Sequence, residues 1–115
     1  MRTTKILFVC SANIDRSPTA ERIYANHPEL EVKSAGTSRF AQKPVSAELV
    51  SWADVILCME NGHQQFIKNE YPDIITHKKI DALHVPDNYS YMEPALQKII
   101  KEKVDEWLES HIDMK

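Results

Sequence analysis

The run Ile6-Leu7-Phe8-Val9 is apolar at four consecutive positions and leads directly into Cys10-Ser11-Ala12-Asn13-Ile14-Asp15-Arg16-Ser17-Pro18. An unbroken apolar run of this length reads as a strand covered on both faces, the habit of strands in parallel sheets. Its end at Cys10 and the later Ser-Pro pair read as a strand, a five-residue loop and a helix start. Ser17 suits an N-cap. Pro18 suits the first helical position, where a missing N–H costs nothing. The spacing predicts a helix from about Pro18 to His27, with Pro28 beyond its end.

The same alternation continues along the chain. Leu30–Ser34 reads as a strand closed by Gly36, and 39–44 as a polar loop. Val45, Leu49, Val50, Trp52 and Ala53 suggest a short helix with Ser46 as a cap. Residues 54–59 form a second buried strand. A helix beginning at Glu60 or Asn61 turns Phe66, Ile67 and Tyr71 inward, and 79–85 is a weaker strand. Leu96, Ile99, Ile100, Val104, Trp107 and Leu108 keep the three-four spacing of a last amphipathic helix whose stripe is core packing. Strands alternating with helices predict an α/β fold of three layers, a parallel sheet with helices on both faces. With 115 residues, the chain reads as one domain, 1–115.

The loop after the first strand is where chemistry concentrates. The following helix points unpaired N–H groups and the positive end of its dipole back at it. Successive loop amides can close round an anion. Arg16 adds a planar fork matched to two phosphate oxygens. Cys10 lies in the same positive field, which favours the nucleophilic thiolate. Cys10 and Arg16 are therefore catalytic candidates, and Ser11, Ala12, Asn13, Ile14, Asp15, Arg16 and Ser17 are the phosphate-binding set. Asn13 sits mid-loop, where a residue that tolerates the left-handed region is useful. The plain alternative is a buried strand-end cysteine and a solvated arginine.

Val9-Cys10-Ser-Ala-Asn13-Ile-Asp-Arg16-Ser17-Pro18-Thr-Ala20-Glu21 resembles the opening of the low-molecular-weight protein tyrosine phosphatases. The likeness continues at Ser34-Ala35-Gly36-Thr37, Ala53-Asp54-Val-Ile-Leu-Cys58-Met59 and Val85-Pro86-Asp87-Asn88-Tyr89, most of all with a compact bacterial branch. The resemblance implies a four-stranded parallel sheet in the order 2-1-3-4. It also implies a phosphomonoester hydrolase acting on phosphotyrosine protein or a small aryl phosphate. Cys10 would form a cysteinyl-phosphate, and Ser17 would hydrogen-bond the thiolate. Asn13 would hold the loop, and Asp87 would serve as general acid and then base. Tyr89 and Phe40 would grip the substrate ring. Asp81 and Asp73 match nothing in the family. The chain is shorter than usual between Thr37 and Ser46. A histidine that braces the loop asparagine in many members would lie there, so that role has no assigned residue. Asp15 stands where the family has a second cysteine, and Asn88 where it has proline.

Other readings are an arsenate reductase of the same fold, which needs further reachable thiols beside Cys58, and a phosphate- or phosphotyrosine-binding module without turnover. Net charge is −3, which speaks against nucleic acid or anionic membrane as a general partner. No apolar run approaches a membrane span, and the N-terminus does not read as a signal peptide. Two cysteines read as thiols of a cytoplasmic protein, and a monomer is expected. The five histidines show no metal-ligand spacing, and the proposed chemistry calls for no metal and no cofactor.

Overall fold

The structure is a computed structural model and describes residues 3–112. The elements run β1 (Thr4–Cys10), α1 (Arg16–Tyr24), β2 (Leu30–Gly36), α2 (Ala47–Trp52), β3 (Val55–Cys58), α3 (Asn61–Glu70), β4 (Lys79–Ala82) and α4 (Pro94–His111). The four strands form one parallel sheet in the order β2-β1-β3-β4, as expected.

The apolar run of β1 is explained by its two faces. Ile6, Phe8 and Cys10 belong to a core cluster with Ala20 and Tyr24 of α1 and the inward stripe of α4. Leu7 and Val9 belong to a second cluster with Val50, Ile56, Cys58 and Ile67, beneath α2 and α3. Every residue from Ile6 to Val9 is fully buried. Successive side chains point to opposite faces of a strand, so a strand covered twice has no place for a polar residue. Phe66 and Tyr71 pack against the second cluster, half-buried, around the fully buried Ile67. No helix among the described residues is long and apolar enough to cross a membrane.

Helix α1 departs from expectation at its start. It begins at Arg16, with Asp15 at the cap position and no side-chain cap. Ser17 is therefore inside the first turn and is not the N-cap. Its hydroxyl turns inward to Cys10, a buried demand that outweighs the local preference for capping. Pro18 still falls in that first turn, where no intrahelical N–H partner is lost. The helix stops at Tyr24, three residues early. The fourth strand is also shorter, although the N–H groups of Leu83 and Val85 continue to bond Cys58 O and Met59 O at 2.7 and 2.8 Å. A 3-10 turn, Ile74–His77, precedes β4.

Candidate active site

In an open parallel sheet, ligands bind beyond the strand carboxyl ends where the strand order reverses. Here that point lies between β1 and β3. β1 delivers Cys10 and the loop 11–15, and β3 delivers Met59 and Glu60. The N–H of Met59 bonds Val9 O at 2.8 Å and fixes the two exits side by side.

The loop takes its shape from the segment after β2. The N–H groups of Thr37, Ser38 and Gln42 donate to the carbonyls of Cys10, Ser11 and Ala12 at 2.9, 3.0 and 3.1 Å. The carbonyls thus face one side, and no backbone N–H of residues 11–15 has an acceptor among the described residues. Gly36 permits the approach. A Cβ there would stand 2.5 Å from Ser11 O and 2.6 Å from the Ala41 Cβ.

Behind the loop, hydrogen-bond direction can be followed from one end. The Glu21 carboxylate accepts from Lys43 Nζ at 3.1 Å and from the Ser34 hydroxyl. An ionised carboxylate only accepts, so Ser34 has given up its hydrogen and must accept from Asn13 Nδ2, at 3.0 Å. The second Nδ2 hydrogen goes to Ser17 Oγ at 2.9 Å. Ser17 therefore keeps its own hydrogen to offer to Cys10 Sγ, 3.0 Å away, or to Ala35 O at 3.3 Å. Asn13 holds φ at 58°, the left-handed conformation that asparagine tolerates. Its Oδ1 is buried with no partner among the described residues.

Arg16 is 2% exposed. Its Nη1 donates to the Glu60 carboxylate and, at 2.9 Å, to Val85 O. Its Nε lies 3.5 Å from Asp87 Oδ1. The Arg16 hydrogen bond holds the Glu60 carboxyl below its usual range. A cavity of about 100 Å³ opens above Cys10, bounded by the loop, Arg16 and Asp87, with Ile14 and Asp15 at its edge. His63, at the third position of α3, lies 2.9 Å from Ser11 Oγ through Nε2.

Of the expected residues, Cys10, Ser11, Ala12, Ile14, Asp15, Arg16 and Asp87 line one cavity, whereas Asn13 and Ser17 lie buried behind the loop. Phe40 and Tyr89 do not line it. Phe40 is 83% exposed beneath the Arg39 guanidinium, on the segment that backs the loop. Tyr89 packs half-buried against the first core cluster. Asp81 accepts from Trp107 Nε1 at 2.8 Å, engaged on β4 away from the cavity. Cys58 is buried in the other core cluster, and its thiol is pushed up to about 12, first by burial. Glu60, His63, Ser34 and Glu21 were absent from the sequence-based set. The position of Glu60 and His63 just past a strand end was the available signal, since loops at that end of a parallel sheet build sites.

The fold and this loop define an α/β domain with a thiol and a guanidinium facing one anion-sized cavity at the strand carboxyl ends. The sequence model of the low molecular weight phosphotyrosine protein phosphatases matches residues 5–45. The low molecular weight protein-tyrosine-phosphatase Ptp of Acinetobacter johnsonii is 34% identical over 96 residues, 63% of this chain and 68% of that protein. The chain belongs to the low molecular weight phosphotyrosine protein phosphatase family. The protein-arginine-phosphatase of Geobacillus stearothermophilus is 31% identical over 93 residues, 60% of this chain and 63% of that one. The chain spans about half the length of other curated relatives it matches. In fold, it is similar to the low molecular weight protein tyrosine phosphatase of Streptococcus pyogenes, with TM-score 0.78, 19% identity and coverage of 96% of this chain and 95% of that one.

Proposed function

We propose that this protein hydrolyses phosphotyrosine or another aryl phosphate through a cysteinyl-phosphate at Cys10. The observation that carries the reading is the single cavity shared by Cys10, the unpaired loop amides, Arg16 and Asp87. The Cys10 thiolate attacks phosphorus while the bond to the aryl oxygen breaks. Asp87, as the acid, gives its proton to that oxygen. Asp87, now a carboxylate, takes a proton from water as the water oxygen attacks phosphorus. The S–P bond breaks and returns the thiolate, supported by the Ser17 hydroxyl, and phosphate leaves. Loop amides and the Arg16 fork hold the equatorial oxygens throughout.

The cavity has room for a phosphate and little more, so the substrate ring rests outside it. Ile14 is 51% exposed at the edge and offers an apolar surface that suits an aromatic ring. Phosphoarginine is the second reading, favoured by the two carboxylates that border the cavity, Asp15 and Asp87, which would attract a guanidinium. The arsenate reductase reading is disfavoured by Cys58, which lies in the opposite core cluster from Cys10.

The deciding experiment compares phosphotyrosine and phosphoarginine peptides of one sequence, with wild type and Cys10→Ser. We expect kcat/KM at least about tenfold higher for phosphotyrosine and no turnover by the folded mutant, since the thiolate is the only nucleophile. Preference for phosphoarginine would move the substrate assignment. Residual turnover by pure Cys10→Ser would end the covalent mechanism.

A further inference from the structure

His63 is the one buried histidine among the described residues, 6% exposed, and the steps above give it no task. It spans two parts of the site. Its Nδ1 accepts the backbone N–H of Glu60 at 3.0 Å. Its Nε2 lies 2.9 Å from Ser11 Oγ. A ring nitrogen that accepts an N–H carries no hydrogen of its own. The neutral ring therefore holds its proton at Nε2 and donates it to Ser11. Ser11 follows Cys10 in the loop, and the Glu60 carboxylate holds Nη1 of Arg16. One imidazole thus ties the start of the loop to the anchor of the guanidinium.

We propose that neutral His63 is a positioning residue of this site, setting the loop and the Arg16 fork for phosphate through Ser11 and Glu60, and that protonation of its ring releases them. The proposal rests on the phosphatase reading above. Charged groups face the ring from each packed segment: Arg16 from α1, Glu60 from the turn before α3, and Asp87 from the loop beyond β4. Burial and the Arg16 charge favour the neutral ring, outweigh the two carboxylates and hold His63 below the ordinary 6.5. Protonation would set a ring N–H against the Glu60 N–H, donor against donor. The bond that fixes the Glu60 backbone would then be lost, and the Arg16 anchor with it.

The test compares wild type, His63→Gln and His63→Ala. Glutamine at the third helical position can accept the N-cap N–H, has an amide hydrogen for Ser11, and does not titrate. Alanine makes neither bond. At pH 7, His63→Ala should raise the inhibition constant of inorganic phosphate and lower kcat/KM for nitrophenyl phosphate, each by about tenfold, roughly the worth of one hydrogen bond. His63→Gln should recover most of both. Between pH 7.5 and 4.5, phosphate affinity of wild type should fall relative to His63→Gln, a ratio that cancels titration of phosphate itself. Long-range proton–nitrogen NMR should place the ring hydrogen on Nε2 at pH 7. Equal phosphate inhibition in all three proteins, a ratio flat with pH, or a hydrogen on Nδ1 would overturn the proposal. Should His63→Ala not fold, the glutamine ratio and the ring tautomer decide. An absence of aryl phosphate turnover in wild type would instead remove the phosphatase reading, while the tautomer and phosphate affinity read by titration calorimetry still judge His63.

Discussion

A guanidinium as buried as that of Arg16 has to be paired, because an uncompensated buried charge costs several kcal/mol. Glu60 and Val85 O take its Nη1 edge and Asp87 Oδ1 lies 3.5 Å from Nε, so an incoming anion meets Nη2 and competes with Asp87 for Nε. Arg16→Lys keeps the charge but cannot serve a rear anchor and a bidentate phosphate together. Steady-state kinetics should show kcat/KM reduced about 10²- to 10³-fold; near wild-type rates would demote Arg16 to a structural residue. Asp87 stands beside the same guanidinium yet is mostly exposed, as a proton donor to a leaving group needs to be. Asp87→Asn should slow phosphotyrosine hydrolysis about 10²- to 10⁴-fold. It should slow nitrophenyl phosphate far less, because that leaving group needs little protonation. Equal slowing of both substrates, or a leaving-group effect from Asp81→Asn, would reassign the acid.

At the scale of elements, the site is a product of packing between a strand end and its neighbours. Gly36 closes β2, and its bare Cα is the surface on which the Cys10 loop lies. Gly36→Ala should cost about 1–3 kcal/mol in urea denaturation and should impair phosphate binding as well, because Ser11 O and the Asn13 N–H must both give way. Unchanged phosphate inhibition would show that the loop holds its shape alone. The sheet was legible from the apolar runs of β1 and β3 and from the alternation of element types. The order 2-1-3-4 was carried by resemblance, since periodicity cannot say which strands are neighbours. The same limit explains the site. Cys10, Arg16 and Asp87 stand in recognisable local motifs. Glu60 and His63 matter only because β3 lies beside β1, and Ser34 and Glu21 only because β2 and α1 flank the loop. The start of α1 departs from its local signal for a related reason: Ser17 is a good cap locally, but buried Cys10 and Asn13 claim its hydroxyl.

For the molecule as a whole, two groups near the cavity link stability to acidity. Glu60 and His63 are both held below their ordinary values, so the unfolded chain binds more protons as pH falls. The contribution of His63 is complete above 6.5 and is lost as pH falls below it toward the folded value. That of Glu60 is complete above 4.5 and is lost as pH falls through its own. Thermal melts should therefore show Tm falling from pH 7 to pH 5, less steeply in His63→Gln; a Tm flat across that range would contradict the lowered values. The cavity itself gathers the end of β1 with its loop, the start of α1 and the loop after β4. An anion that touches all three binds only a chain in which they are together. By mass action, phosphate at about 100 times its dissociation constant adds about 2.7 kcal/mol, roughly 10 °C in Tm for a domain of this size. Occupancy then acts as a rivet through the sheet, and amide hydrogen exchange in the middle of β3 should slow on filling as surely as in the loop the ligand touches.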